Sequence, residues 1–264
     1  MTEQTLAPWD GALYAANTGH HRVYDAPFLD PLPLRPTDTV LDLGCGSGDL
    51  TAIVAGCVPD GTVTGVDPQP SLLAEARRAA RPNQRFVQGS VQMLGALFPE
   101  AQQLDVVMSR AVLHWVPLRD HPGVLSEVHR LLRPGGWYRA EFGAAGNIPA
   151  VLRLLDDVSS GLGGPTCPWT FADAGTYLEL VEQAGFDLTP GFIRMTPQRR
   201  GFSRESLRGW FRSQVVQAYT TAMGDLGGRA FTGEVEARFD ELARWDGTFD
   251  QTFVRMDVLA QRPG

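Results

Sequence analysis

Val40-Leu41-Asp42-Leu43-Gly44-Cys45-Gly46-Ser47-Gly48 is the stretch on which the fold turns. An apolar run (39–43) reads as a buried strand, three glycines alternate with small residues, and a helix is expected over 49–57. Glycines let the backbone turn tightly and approach a ligand with no Cβ in the way. Working outward, short apolar runs alternate with helix-like segments as far as Phe142, the pattern of βαβ units on a parallel sheet. Strands are expected at 61–67, 84–90, 104–110 and 136–142, with helices at 70–80 and 124–132. Past Phe142 the alternation breaks down. A helix is read at 170–186, a strand at 192–197, helices across 203–244 and a last strand at 252–260.

The loop also says what it holds. A pyrophosphate loop has the spacing GxGxxG, whereas here it is GxGxG, with Asp42 two positions before the first glycine. A carboxylate there repels a pyrophosphate and suits a cationic or amine-bearing ligand. Asp67 ends the second strand 19 residues beyond Gly48, where a carboxylate can accept bonds from ribose hydroxyls. N-capping of the next helix is its alternative role.

Composition narrows the classes. The chain of 264 residues has a formal charge of −7, and none of its short arginine clusters forms a nucleic-acid footprint. All 23 basic residues are arginine, which removes Schiff-base chemistry and a phosphate-loop lysine. The three cysteines have no metal-ligand spacing, and the five histidines form no HxH or HExxH pattern, so no metal is expected. Without a signal-like N-terminus or a bilayer-length apolar run, the expectation is a cytoplasmic protein, monomeric or homodimeric, with no membrane partner.

VLDLGCGSGDL, GVDPQ, VQGSVQML, LDVVMSRAVLHWV and LLRPGGWYRAEF together resemble the ordered motifs of class I S-adenosylmethionine (SAM) dependent methyltransferases, over about 40–142. The flanks WTFADAGTYLELVEQAGF, SLRGWF and DGTFDQTFVRMDVLA are similar to the small-molecule subgroup around trans-aconitate methyltransferase. The resemblance implies a Rossmann-like, doubly wound α/β fold. Its sheet would be seven-stranded and mostly parallel, with an antiparallel C-terminal strand and a helical cap. Residues 1–37 would form an N-terminal lid, 38–202 the SAM-binding core, 203–247 the cap and 248–264 the final strand. SAM would be the cofactor, S-adenosylhomocysteine (SAH) the product, and a small molecule the acceptor.

Carried over by position, Gly44, Cys45 and Gly46 would lie against the methionine part of SAM, with Asp42 near the loop and Tyr14 reaching in from the lid. Asp67 would hold the ribose, and Pro68 and Gln69 would line the adenine. Ser90 and Val91 replace a segment that usually presents an aspartate to the base. Arg110 and Ala111 would border the methionine chain through backbone groups. Trp115, Arg22 and Trp210 are candidate acceptor contacts, although helix packing explains Trp210 as well.

Methyl transfer from a sulfonium is an in-line displacement in which orientation does most of the work. A base is needed only for an acceptor that enters protonated. His114, after the fourth strand, is the leading candidate, with His20 and His21 in the lid behind it. An acid acceptor would gather arginines, and Arg22, Arg194, Arg199 and Arg212 are placed in lid or cap. The expected function is transfer to oxygen, less so nitrogen or carbon, of a small molecule, with an aromatic cap that suits specialised metabolism. The alternative is a protein that uses SAM structurally for a reaction other than methylation.

Overall fold

The computed structural model describes Trp9, Gly11, Leu13, residues 24–100 and residues 103–264. Tyr14, His20, His21, Arg22 and most of the expected lid therefore lie outside the described residues. Strand β1 (Thr39–Leu43) is the hydrophobic axis of the sheet, with Val40, Leu41 and Leu43 at most 1% exposed. It pairs in parallel with β2 (Thr62–Asp67) and β4 (Leu104–Arg110). β3 (Gln84–Gln88) continues one side and β5 (Leu132–Gly143) the other, both parallel. β7 (Gln251–Gln261) then enters antiparallel between β5 and β6 (Asp187–Arg200). The order is β3-β2-β1-β4-β5-β7-β6.

Helices cover both faces. α1 (Asp25–Leu29) and α2 (Asp49–Cys57) put Phe28, Leu50 and Val54 against Val40, Val63 and Met108 on one face. The other face packs on α5 (His121–Leu131) and α7 (Ala174–Gln183) through Val124, Val128, Tyr177 and Val181. α3 (Pro70–Arg78) and the short α4 (Leu94–Leu97) follow β2 and β3. α5 starts three residues before the expected 124, because Pro122 sits in its first turn, where a missing N–H costs nothing.

A second apolar cluster lies above the carboxyl edge of the sheet. It joins α6 (Pro149–Gly161), α8 (Arg204–Trp210), a π-helical turn (Phe211–Val215) and α9 (Val216–Ala237), which kinks at Gly224. The sequence reading has no helix at 149–161, yet Val151, Leu154, Leu155 and Val158 bury one face of α6 in this cluster. Strand order reverses between β1 and β4, which is where an open α/β sheet leaves a ligand crevice.

Candidate active site

The glycine loop sits at that crevice. Gly44, Gly46 and Gly48 all have positive φ, at +71°, +56° and +81°. At Gly44 an added Cβ would stand 2.1 Å from the Val112 side chain, so glycine is required by conformation and by space. Both oxygens of Asp67 organise the turn: Gly46 N–H donates to Oδ2 (2.9 Å) and Gln69 N–H to Oδ1 (2.8 Å). Burial raises the Asp67 pKa above its ordinary value. Gln69 is buried beside it, Pro68 is half-buried, and Cys45 is a buried thiol whose pKa burial pushes up.

Asp42 is 2% exposed and accepts the Thr51 hydroxyl (2.7 Å). Burial raises its pKa to about 6, with the Thr51 bond and Arg110 opposing and Asp67 adding. Two buried carboxylates thus flank the loop, an acceptor chemistry that fits a sulfonium and an ammonium and disfavours phosphates. The sign of the pH effect follows. A folded pKa of about 6 against an ordinary 3.8 means that ionising Asp42 costs the ligand-free fold nothing below pH 3.8 and up to about 3 kcal/mol above pH 6. Asp42→Asn, free of ligand, is expected to lose less stability than wild type between pH 4 and 7 in urea unfolding, while binding SAM more weakly. Parallel pH dependences would contradict this.

Ser90 precedes a 3₁₀ turn (Val91–Met93) that buries Val91 behind β3. Arg110 pairs with Asp25 of α1, its guanidinium 5.7 Å from the Phe28 centroid. Ala111 holds φ at +61°, a strained conformation for a residue with a Cβ, and donates to the Glu141 carbonyl (2.7 Å).

Next to Ala111 a cleft opens between the sheet edge and the cap, with about 760 Å³ of empty space, open solvent at its mouth included. Its walls are Trp9, Trp115, Trp169, Phe171, Trp210 and Phe253. Trp115 meets Trp9 and Trp169 edge-on, each at 5.5 Å. Trp9 also spans to the loop side, where its carbonyl accepts the Ser71 hydroxyl (2.6 Å). Trp115 and Trp210, expected as acceptor contacts, both line this cleft. The walls at Trp9, Trp169 and Phe253 escaped the sequence reading.

The polar groups in the cleft include His114, Glu141, Gln198, Arg200 and Arg255. His114 stacks on Phe171 at 6.0 Å, and its Nδ1 accepts the Gly143 N–H (3.4 Å). That bond puts the imidazole proton on Nε2. Burial, then the Arg255 charge, drive the His114 pKa down to about 3, so the ring is neutral at physiological pH. Glu141 accepts both Nε and Nη2 of Arg255, at 3.2 and 2.9 Å.

Arg200 lies among rings, with Phe253 at 4.6 Å and Tyr24 at 5.0 Å from its guanidinium carbon. Burial holds its pKa below the usual arginine value, and Tyr24 opposes that shift. Of the arginines considered from sequence, Arg22 lies outside the described residues, and the other three are committed elsewhere: Arg194 to Asp257, Arg199 to Asp250 and Arg212 to Glu236. The two that reach the cleft, Arg200 and Arg255, share a face with Gln198 and Phe253. The signal for that is the period-two alternation along β6 and β7, read in antiparallel register.

Among the described residues no helix is long and apolar enough to cross a membrane. No group of three or more His, Cys, Asp or Glu among them could hold a metal ion.

The profile of a family described as a methyltransferase domain matches residues 40–136. An uncharacterised methyltransferase of Schizosaccharomyces pombe is 31% identical over 187 residues, covering 67% of this chain and 70% of the relative. Trans-aconitate 2-methyltransferase of Deinococcus radiodurans is 43% identical over 105 residues, 40% of this chain. The match spans 38% of that relative's length, and 48% of the enzyme of the same name from Methylobacterium nodulans. Two solved structures share the fold. Phosphoethanolamine N-methyltransferase 2 of Haemonchus contortus, in complex with SAM, has a TM-score of 0.61 at 15% identity, covering 96% of this chain and 57% of that one. Geranyl diphosphate C-methyltransferase of Streptomyces coelicolor has a TM-score of 0.54 at 17% identity, covering 96% and 83%. With its glycine loop, its paired buried carboxylates and its strand order, the chain belongs to the class I SAM-dependent methyltransferases.

Proposed function

We propose that this chain transfers the methyl group of SAM to an oxygen of a small acid, held in the aromatic cleft. The supporting observation is His114, neutral and hydrogen-bonded at Nδ1 by Gly143, so that Nε2 is a donor and not a proton acceptor. With His114 donating, the cleft favours a nucleophile that arrives already ionised, and a carboxylate oxygen does. Relatives named for trans-aconitate point the same way. The indole walls suit a small molecule.

Bound SAM supplies an electrophilic methyl carbon. The loop at Gly44, Cys45 and Gly46, with Asp42 beside it, would hold the methionine part. Asp67 would take the ribose hydroxyls, and Pro68, Gln69, Ser90 and Val91 would border the adenine. Arg110 and Ala111 close the junction to the cleft: Arg110 fixes α1 through Asp25, and the strained Ala111 turns the chain toward Trp115. His114 then offers its Nε2 proton to the acceptor oxygen and fixes the direction of a lone pair, an orientation effect.

The pH profile is the test. SAH formation on a carboxylic acid acceptor is expected to stay level, within about twofold, from pH 5.5 to 8.5. Comparable SAH formation on the corresponding alcohol or phenol, which arrives protonated, would instead make His114, already deprotonated across this range, a general base.

A further inference from the structure

We propose that Arg200 anchors the acceptor's carboxylate, and that the acceptor is a flat, apolar acid of low charge. The inference rests on the cleft being the acceptor site and names the class of acid that it takes. Charge carries it. Glu141 receives two nitrogens of Arg255, so that pair is neutral within itself. Arg200 forms no ion pair with a carboxylate among the described residues, and its guanidinium stands over Phe253 and beside Tyr24. His114 adds no charge. Of the charged groups that line the cleft among the described residues, Arg200 is the guanidinium without a carboxylate ion-pair partner, held by Tyr24 and more distantly attracted by Glu141.

Placement supports the same reading. Arg255 faces Gly143, the last residue of β5, and beyond it the β6–β7 ladder runs on to Arg200 opposite Gln251. Arg200 therefore projects from a rigid wall that rises past the sheet edge into the cleft. A guanidinium held between ring faces is partly stripped of water, where its planar fork pairs best with a carboxylate. Indole and phenyl rings make up much of the remaining wall, complementary to a flat apolar body, with Asn147, Gln198 and Gln214 among them as neutral polar groups. Trans-aconitate brings three carboxylates. Two of them would face rings and neutral amides with no second cation free of a carboxylate partner among the described lining residues, a costly burial.

Calorimetry on the SAH-loaded protein tests this with three probes: trans-cinnamate, its neutral amide cinnamamide, and trans-aconitate. Cinnamate is expected to bind at least tenfold more tightly than cinnamamide. Arg200→Gln should bring cinnamate down to the level of the amide, leaving the amide and SAH itself unaffected. Equal binding of acid and amide, equal losses for both in the variant, no binding of cinnamate, or tighter binding of trans-aconitate each overturns the proposal. Failure of the wild-type protein to bind SAH is a separate result, which removes the underlying reading of the cleft.

Discussion

Asp67→Ala is expected to weaken SAM binding at least a hundredfold, measured by calorimetry on folded protein. Two ribose hydroxyls donating to an ionised carboxylate contribute roughly 1.5–3 kcal/mol each, and about 1.4 kcal/mol is a factor of ten. Those two bonds alone account for the hundredfold. The carboxylate has a second task. It receives Gly46 N–H and Gln69 N–H, one on each oxygen, and so fixes the glycine turn relative to the end of β2. Alanine removes both functions together. Asn separates them, since its carbonyl oxygen still serves one backbone donor while the charge is gone. Asp67→Asn should therefore bind SAM more tightly than Asp67→Ala and more weakly than wild type. A fully folded Asp67→Ala protein with unchanged affinity would place the ribose elsewhere.

How far such a site can be read without coordinates depends on how local its parts are. The turn from β1 through Gly44, Gly46 and Gly48 is dictated by neighbours in sequence, and Asp67 follows from the length of one helix plus one strand. Both were readable for that reason. α6 was not, although its buried positions at 151, 154, 155 and 158 have helical spacing. It follows a glycine-containing turn and opens with Pro149, which signals a break to a reader and a first helical turn to the backbone. The acceptor wall was harder still. Arg200 and Arg255 enter the cleft only because β7 inserts between β5 and β6 in a register that sets Thr196 against Arg255 and Arg200 against Gln251. Pairing of that kind is a tertiary fact. His114 was found by its position after β4, but its protonation depends on Gly143 and Arg255, from two other strands.

The largest stability effect is expected at Arg139, which lies 1% exposed in β5 at the middle of the sheet. Its Nε donates to the Phe28 carbonyl (2.7 Å) and its Nη1 to the Val258 carbonyl (2.9 Å), while it also pairs with Asp257. The guanidinium carbon sits 4.4 Å from the Phe28 ring centroid. One side chain thus ties α1 to β5 and β7, and α1 in turn carries Asp25, the partner of Arg110 at the end of β4. Burial pulls the Arg139 pKa down and Asp257 holds it up. Arg139→Met keeps the volume and deletes the charge. It leaves the Phe28 carbonyl without this donor, and leaves Asp257 to Arg194, whose side chain is 56% exposed. Breaking a buried pair from one side costs roughly 3–5 kcal/mol, a large share of a total near ~5–15 kcal/mol. For a chain of this size that corresponds to a drop in Tm of about 6–20 °C. Asp257→Leu on top of Arg139→Met should cost less than the sum of the single changes, because the stranded carboxylate is then gone. Additive losses would mean that the two side chains are not energetically coupled.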